Sequence, residues 1–247
     1  MDKHTKPATV ATEIRRMLRR EGSEEHAAGV KWFFKEEIQS HGWYTAALRK
    51  AARQTRKQIL AERDLAFLVK VADQLFDGSV LEEKIFAVFL LENLTGQLGE
   101  NDFRLFVSWL ERISTWADHD ALVHDLIAPS IMDDTSRVGC IFRWAKTRNR
   151  WNRRAACVSL IRGVRQGLFL RETEQLTKAL LTDEDDMVQK GLGWLWRELI
   201  KASPKEGVRS LSKFQEKMPR LVLRTACETL PKEERSRILQ GVRLRPS

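Results

Sequence analysis

The chain has 247 residues, 43% of them hydrophobic, with only 13 Gly and 6 Pro, which is enough to bury a sizeable core and argues against a disordered or fibrous protein. The formal net charge of +9 favours a polyanionic partner. The longest continuous apolar run, Ile85 to Leu91, is far too short to cross a bilayer, and the start lacks the apolar region of a signal peptide, so a cytoplasmic protein that needs no membrane is expected.

Apolar residues recur at three and four positions almost throughout and strict alternation is rare, so the expected fold is all-helical. In chain order, residues 1–7 lack apolar periodicity and are expected to fray, as are residues 243–247. A first helix carries Arg15, Arg16, Arg19 and Arg20 and stops near Gly22. After a break at Gly42, Arg49, Arg53, Arg56 and Lys57 recur at helical spacing as a basic stripe. Later breaks fall at Asp77-Gly78, Thr95 to Glu100, Ala128-Pro129, Thr147 to Arg150, Gly167, Thr182 to Asp186, Ser203-Pro204, Met218-Pro219 and Leu230-Pro231. The clearest start is Ser203-Pro204-Lys205-Glu206, where Ser caps, Pro suits the first turn and Glu206 completes a capping box. Helix pairs recur at roughly 35 to 40 residues, the period of tandem helical repeats. The expectation is one domain over 1–247, stacked as a curved α-solenoid whose concave basic face follows a cylinder such as DNA; a plain helical bundle is the alternative.

Charge is concentrated in one place. Residues 143 to 171 hold Arg143, Lys146, Arg148, Arg150, Arg153, Arg154, Arg162, Arg165 and Arg171 and no Asp or Glu. A polyanion is expected to dock there, and the guanidinium fork suits phosphate oxygens, although a solvated face explains most such runs. Arg154 follows Trp151 by three positions in WNRRAACVSLI, near the start of a helix whose inner face is Ala155, Val158 and Ile161. On a wheel of about 100° per residue, Leu192, Leu195, Trp196 and Leu199 cluster, whereas Lys190, Trp194 and Arg197 fall opposite. A large ring on a basic face suggests that something stacks on it, or that it fills a gap between helices. Trp116 and Asp120, four apart, share one side of a helix with a buried stripe of Leu122, Val123, Leu126 and Ile127. An Asp that simply pairs with an Arg would look the same.

Cys140, Cys157 and Cys227 form no CxxC pair and read as buried thiols of a reducing compartment. His119 and His124 lack metal-ligand spacing, and no Gly-rich phosphate loop or GxSxG occurs. No metal or cofactor is expected.

Five segments in order carry a resemblance: FFKEE from Phe33 to Glu37, GWYTAALRK from Gly42 to Lys50, WADHD from Trp116 to Asp120, RWAKTRNRWNRRAA from Arg143 to Ala156, and QKGLGWLWRE from Gln189 to Glu198. Together they span most of residues 25 to 205, and the chain resembles the AlkD-like DNA alkylation repair family, DNA glycosylases built from HEAT-like repeats. The resemblance implies that Trp116, Asp120, Arg154 and Trp194 occupy the active-site positions. It further implies cleavage of N3- or N7-alkylated purines, whose positive charge activates the leaving base so that one carboxylate suffices, with the lesion left in the duplex. Arg148, Arg150, Arg153, Lys190, Arg197, Arg49 and Arg53 are the expected contacts to double-stranded DNA. No lysine has a nucleophile's setting, so no lyase step is expected, and the chain is expected to act as a monomer. Extra tryptophans, Trp144, Trp151 and Trp196, and an Arg-rich C-terminal tail depart from the family; Trp144 and Trp151 weigh more as core. Two other uses of the same features are a non-enzymatic binder of distorted or branched DNA and a protein-binding scaffold. Asp120 beside an anionic backbone counts against the first, and the charge concentration is unexplained by the second.

Overall fold

The computed structural model describes residues 5–240, and among them the expected all-α class is what the chain adopts, extended pairing being confined to a bridge between Gln39 and Val80. The chain forms two compact units, Met1–Ile127 and Ala128–Ser247. Of the ends expected to fray, residues 1–4 and 243–247 lie outside the described residues, as does the Arg-rich tail; Pro7 is already helical. No helix among the described residues is long and apolar enough to cross a membrane.

The first unit contains α1 (Pro7–Glu21), α2 (Glu24–Val30), a 3-10 turn (Lys31–Phe33), α3 (Thr45–Leu60), α4 (Leu65–Phe76), α5 (Leu81–Leu91), α6 (Glu100–Trp109) and α7 (Trp116–Leu122). Helix α5 is apolar nearly all round, and accordingly α3, α4 and α7 pack about it. Burying rings such as Phe86 and Phe89 contributes about 1.5–3 kcal/mol each. Its first turn also buries Glu82, Glu83 and Lys84, and each charge has partners. Glu82 accepts from the backbone N–H groups of His41 (2.8 Å) and Gly42 (3.0 Å) and from the Ser40 hydroxyl (2.6 Å). Glu83 accepts from Arg15 Nε at 3.0 Å. Gly42 has φ +76°, and a Cβ there would collide with the Ser23 carbonyl oxygen, so this crossing requires glycine.

The second unit contains α8 (Ala128–Asp133), a 3-10 segment (Thr135–Cys140), α9 (Ile141–Trp144), α10 (Arg150–Val158), α11 (Ile161–Val164), α12 (Leu170–Leu180), α13 (Asp186–Ala202), α14 (Pro204–Ser212), α15 (Arg220–Ala226) and α16 (Lys232–Gln240). Helix α13 is its axis: α10, α11, α12, α14 and α15 all pack on it. The approach of α15 is closest at Gly193, where a Cβ would lie 2.6 Å from Thr225 Cβ and 2.9 Å from the Val222 carbonyl oxygen. Trp196 is fully buried, its indole N–H reaching Thr177 Oγ1 at 2.9 Å. Trp144 and Trp151 are core, and the three cysteines are buried free thiols.

Two expected boundaries differ in detail. Helix α14 begins at Pro204, but the Ser203 hydroxyl caps nothing; its carbonyl takes the Gly207 N–H at 2.7 Å instead. At Ala128-Pro129 the ladder widens rather than breaks, residues 123–127 being π-helical before α8. Pro129 has no N–H to give the carbonyl four residues back, which favours the wider turn.

Candidate functional site

In the first unit, a capping box fixes the start of α7. Thr115 Oγ1 accepts from the N–H groups of Ala117 (3.2 Å) and Asp118 (3.4 Å), and Asp118 Oδ1 accepts from the Thr115 N–H at 2.7 Å. Asp118 Oδ2 takes the Ser114 N–H at 2.9 Å and stands 3.6 Å from Lys84 Nζ. Lys84 also donates to Ser114 Oγ (2.7 Å) and to the Arg112 carbonyl. Burial holds the Lys84 ammonium below the usual lysine range, and Asp118 offsets part of that push. The capped turn thus anchors Trp116, the first residue of α7.

The Trp116 ring stacks on Phe34, with centroids 5.2 Å apart and planes inclined by 17°. Phe34 follows the 3-10 turn that carries Trp32 and Phe33, which are 91% and 76% exposed. One turn beyond Trp116, the Asp120 side chain is 21% exposed, and its Oδ1 lies 2.7 Å from Nδ1 of the fully buried His119. Trp116 at the start of α7 and Asp120 on its last turn therefore lie one turn apart on one short helix, the arrangement their spacing of four implied.

In the second unit, Arg154 of α10 is buried, and its Nη1 donates to the Met187 carbonyl at 2.7 Å. Its aliphatic stem runs against Gly191 of α13, where a Cβ would lie 3.2 Å from Arg154 Cγ. Trp194, three residues on, lies on the same side of α13 and is half-buried. Leu192, Leu195, Trp196 and Leu199 are buried as expected, and Lys190, Trp194 and Arg197 are partly exposed. Trp116 and Trp194 are thus both half-buried, the first one turn from the Asp120 carboxylate and the second on the helix that Arg154 packs against.

The basic residues are less available than their density along the chain suggests. Arg150 lies 2.9 Å from Asp185 and 3.1 Å from Asp186; Arg153 is 2.6 Å from Asp183; Arg165 is 2.9 Å from Glu198. Lys190 pairs with Asp186 at 3.1 Å, and Arg197 with Glu228 at 2.5 Å. In the first unit, Arg49 lies 3.0 Å from Asp125 and 3.3 Å from Glu92 and covers the Phe89 ring, while Arg53 is 3.7 Å from Glu92. The acid-free stretch 143 to 171 is thus neutralised in part by carboxylates from 183 to 198. Arg143, Lys146, Arg148, Arg162 and Arg171 are exposed and make no ion pair among the described residues. Phe34 and His119 had no role in the sequence reading; the signal for His119 was the doublet His119-Asp120, repeated as His124-Asp125.

A family profile described as DNA alkylation repair enzyme matches residues 14–230. No curated protein matches the chain. Among solved structures, the predicted DNA alkylation repair enzyme from Enterococcus faecalis is 17% identical, with a TM-score of 0.76 over 85% of this chain and 97% of that one. AlkD2 from Streptococcus mutans is 15% identical, with a TM-score of 0.57 over 95% and 98%. The smu.31 protein of Streptococcus mutans UA159 is 17% identical, with a TM-score of 0.53 over 82% and 97%. At such identities the likeness is one of fold.

Proposed function

The chain belongs to the family of DNA alkylation repair enzymes, and from that premise we propose that it is a monofunctional DNA glycosylase acting on positively charged N3- or N7-alkylated purines in duplex DNA. The observation that carries this reading is a partly exposed carboxylate, Asp120, one turn from the half-buried indole of Trp116. In a protein that only bound DNA, such a carboxylate would oppose the phosphate backbone.

The alkylated base leaves with the C1′–N bonding pair and becomes neutral, so no general acid is needed. The sugar passes through an oxocarbenium-like state, as in other glycosidic cleavages. Asp120 stabilises that cation and orients the water whose oxygen bonds to C1′ and whose proton is then lost to solvent. The Trp116 ring face in the first unit suits a cationic nucleotide, about 0.5–2 kcal/mol by the usual cation–π range, and the same range applies to the Trp194 ring face in the second unit. Phe34 backs the Trp116 ring and limits its tilt. The Met187 carbonyl occupies one of the five N–H donors of Arg154 and limits how the guanidinium turns; on this reading the group clamps a phosphate. Lys84 is tied to Asp118 and Ser114 inside the first unit, which supports a reaction that stops at the abasic site.

Arg148, with Arg143, Lys146, Arg162 and Arg171, supplies the standing phosphate contacts. Arg150, Arg153, Lys190, Arg197, Arg49 and Arg53 contribute by exchanging a carboxylate for a phosphate. The protein acts as a monomer in the cytoplasm and needs no cofactor.

The test is incubation of N-methylated duplex DNA with the wild type and with Asp120→Asn, following released 7-methylguanine and 3-methyladenine by mass spectrometry. Wild-type release that falls by about a hundredfold to a thousandfold in the variant is expected, the usual effect of removing one preorganised electrostatic group. Tight, salt-sensitive binding with no release by the wild type would favour the non-enzymatic DNA binder instead.

A further inference from the structure

Burial and exposure set the two His-Asp doublets of this chain apart. Thr115, Asp118, His119, Leu122, Val123 and Leu126 form a continuous buried stripe, with His119 in its middle at 0% exposure. A polar ring in such a stripe requires a partner, because an unmet buried donor costs about 1–3 kcal/mol. Its Nδ1 meets Asp120 Oδ1 at 2.7 Å, on the neighbouring residue, whose side chain emerges at the edge of the stripe. The proposed reaction requires an ionised Asp120, which only accepts, and that assigns the proton of this contact to Nδ1. In the second doublet, His124 Nδ1 stands 2.8 Å from Asp125 Oδ1, but the His124 side chain is 47% exposed and Asp125 is also held by Arg49. Water screens and loosens that contact. The same two-residue geometry is thus rigid at 119–120, where core packing holds the ring on all sides, and soft at 124–125.

We infer that His119 is a positioning residue for the Asp120 carboxylate: a core-locked imidazole whose Nδ1–H grips Oδ1 and fixes the direction in which Asp120 faces the reacting sugar. This role rests on the proposed glycosylase activity. Asp120 sits on the last turn of a seven-residue α-helix, and its side chain has two rotatable bonds. Without the imidazole the carboxylate loses its 2.7 Å contact to a core-fixed ring and has more freedom to turn about those bonds. Stabilisation of a transient cation depends on a charge already held in place, and a misplacement of about 1 Å lowers rates by as much as a hundredfold. Asn is the substitution that best imitates Nδ1–H, since its amide nitrogen takes nearly the same position in the side chain.

The experiment measures single-turnover excision and duplex binding for the wild type, His119→Leu, His119→Asn, His124→Leu and Asp120→Asn. His119→Leu is expected to excise about tenfold to a hundredfold more slowly with unchanged DNA affinity. His119→Asn is expected to recover most of the loss, and His124→Leu to match the wild type. Loss in Asp120→Asn without loss in His119→Leu overturns the positioning role alone. Equal loss in His119→Leu and His119→Asn also overturns it, since it points to packing rather than to the N–H. Full excision by Asp120→Asn overturns the glycosylase assignment of Asp120 and this role with it. A measurement on the unaltered protein guards against misfolded variants: the imidazole nitrogen resonances of His119 should show a proton on Nδ1. A ring protonated only on Nε2 would overturn the proposal.

Discussion

Asp118→Ala and Lys84→Met remove opposite ends of the same buried pair, and the geometry makes their consequences unequal. The Lys84 side chain is 5% exposed and that of Asp118 is fully buried. Asp118→Ala strips the ammonium of the carboxylate it pairs with at 3.6 Å, with the Arg112 guanidinium still nearby, and leaves the Ser114 and Thr115 N–H groups without their acceptor. Breaking a buried pair from one side in this way destabilises by about 3–5 kcal/mol. Lys84→Met leaves Asp118 with the Ser114 N–H, the Thr115 N–H and the Thr115 hydroxyl, so its loss should be smaller, about 1–2 kcal/mol. The two effects also differ in pH dependence. Burial already lowers the Lys84 pKa in the folded protein while Asp118 and, more weakly, Asp77 raise it; without Asp118 it falls further. Between the depressed folded value and the ordinary lysine range, the unfolded chain binds more protons than the folded one, so stability rises with pH. The deficit of Asp118→Ala relative to the wild type should therefore shrink between about pH 7 and about pH 9, whereas that of Lys84→Met, which lacks the titrating group, should not shrink and should grow once the pH passes the depressed folded value of Lys84. Urea unfolding followed by far-ultraviolet circular dichroism at the two pH values reads both. Equal losses for the two variants, or an Asp118→Ala deficit that does not move with pH, would refute the reasoning.

Arg148→Ala should lower the salt slope of duplex binding by about one unit, and Arg150→Ala by clearly less, because Arg150 already sits between Asp185 and Asp186; equal slopes in a salt titration would count against the division between paired and unpaired cations. Gly193→Ala gains up to about 1 kcal/mol of helix propensity but forces a methyl against Thr225 and the Val222 carbonyl, so a net loss of about 1–2 kcal/mol is expected in denaturant unfolding; a stabilised variant would show that α13 and α15 have room to part. Burial pushes the Cys227 thiol up to about 11 and the Cys157 thiol higher still, so both should react with a disulfide reagent only as fast as the protein opens; rapid labelling of the native protein would contradict that.

The helices were legible because what writes them is local. Leu192, Leu195, Trp196 and Leu199 repeat at helical spacing, and all four are buried. The same spacing placed Lys190, Trp194 and Arg197 on the other face. Side-chain partners were not legible, because they come from far along the chain. Arg150 finds Asp185, and Arg49 finds Asp125, across separations that no short window spans. A count of charges along 143 to 171 therefore overstated the available cations. Phe34 was visible only as part of a segment, its stack on Trp116 joining residues 82 positions apart. For Ser203 the residue types matched a cap, yet its ψ of 76° came with a hydroxyl that accepts no helix N–H, so sequence alone gave the boundary and not the bond.

The paired arginines also bear on how such a protein would travel. An arginine that leaves a carboxylate to meet a phosphate gains only the difference between two similar bonds, and each exposed carboxylate then pushes the strand away. Contacts of that kind form and release in small steps, so on the proposed reading the protein would move along undamaged duplex with shallow traps.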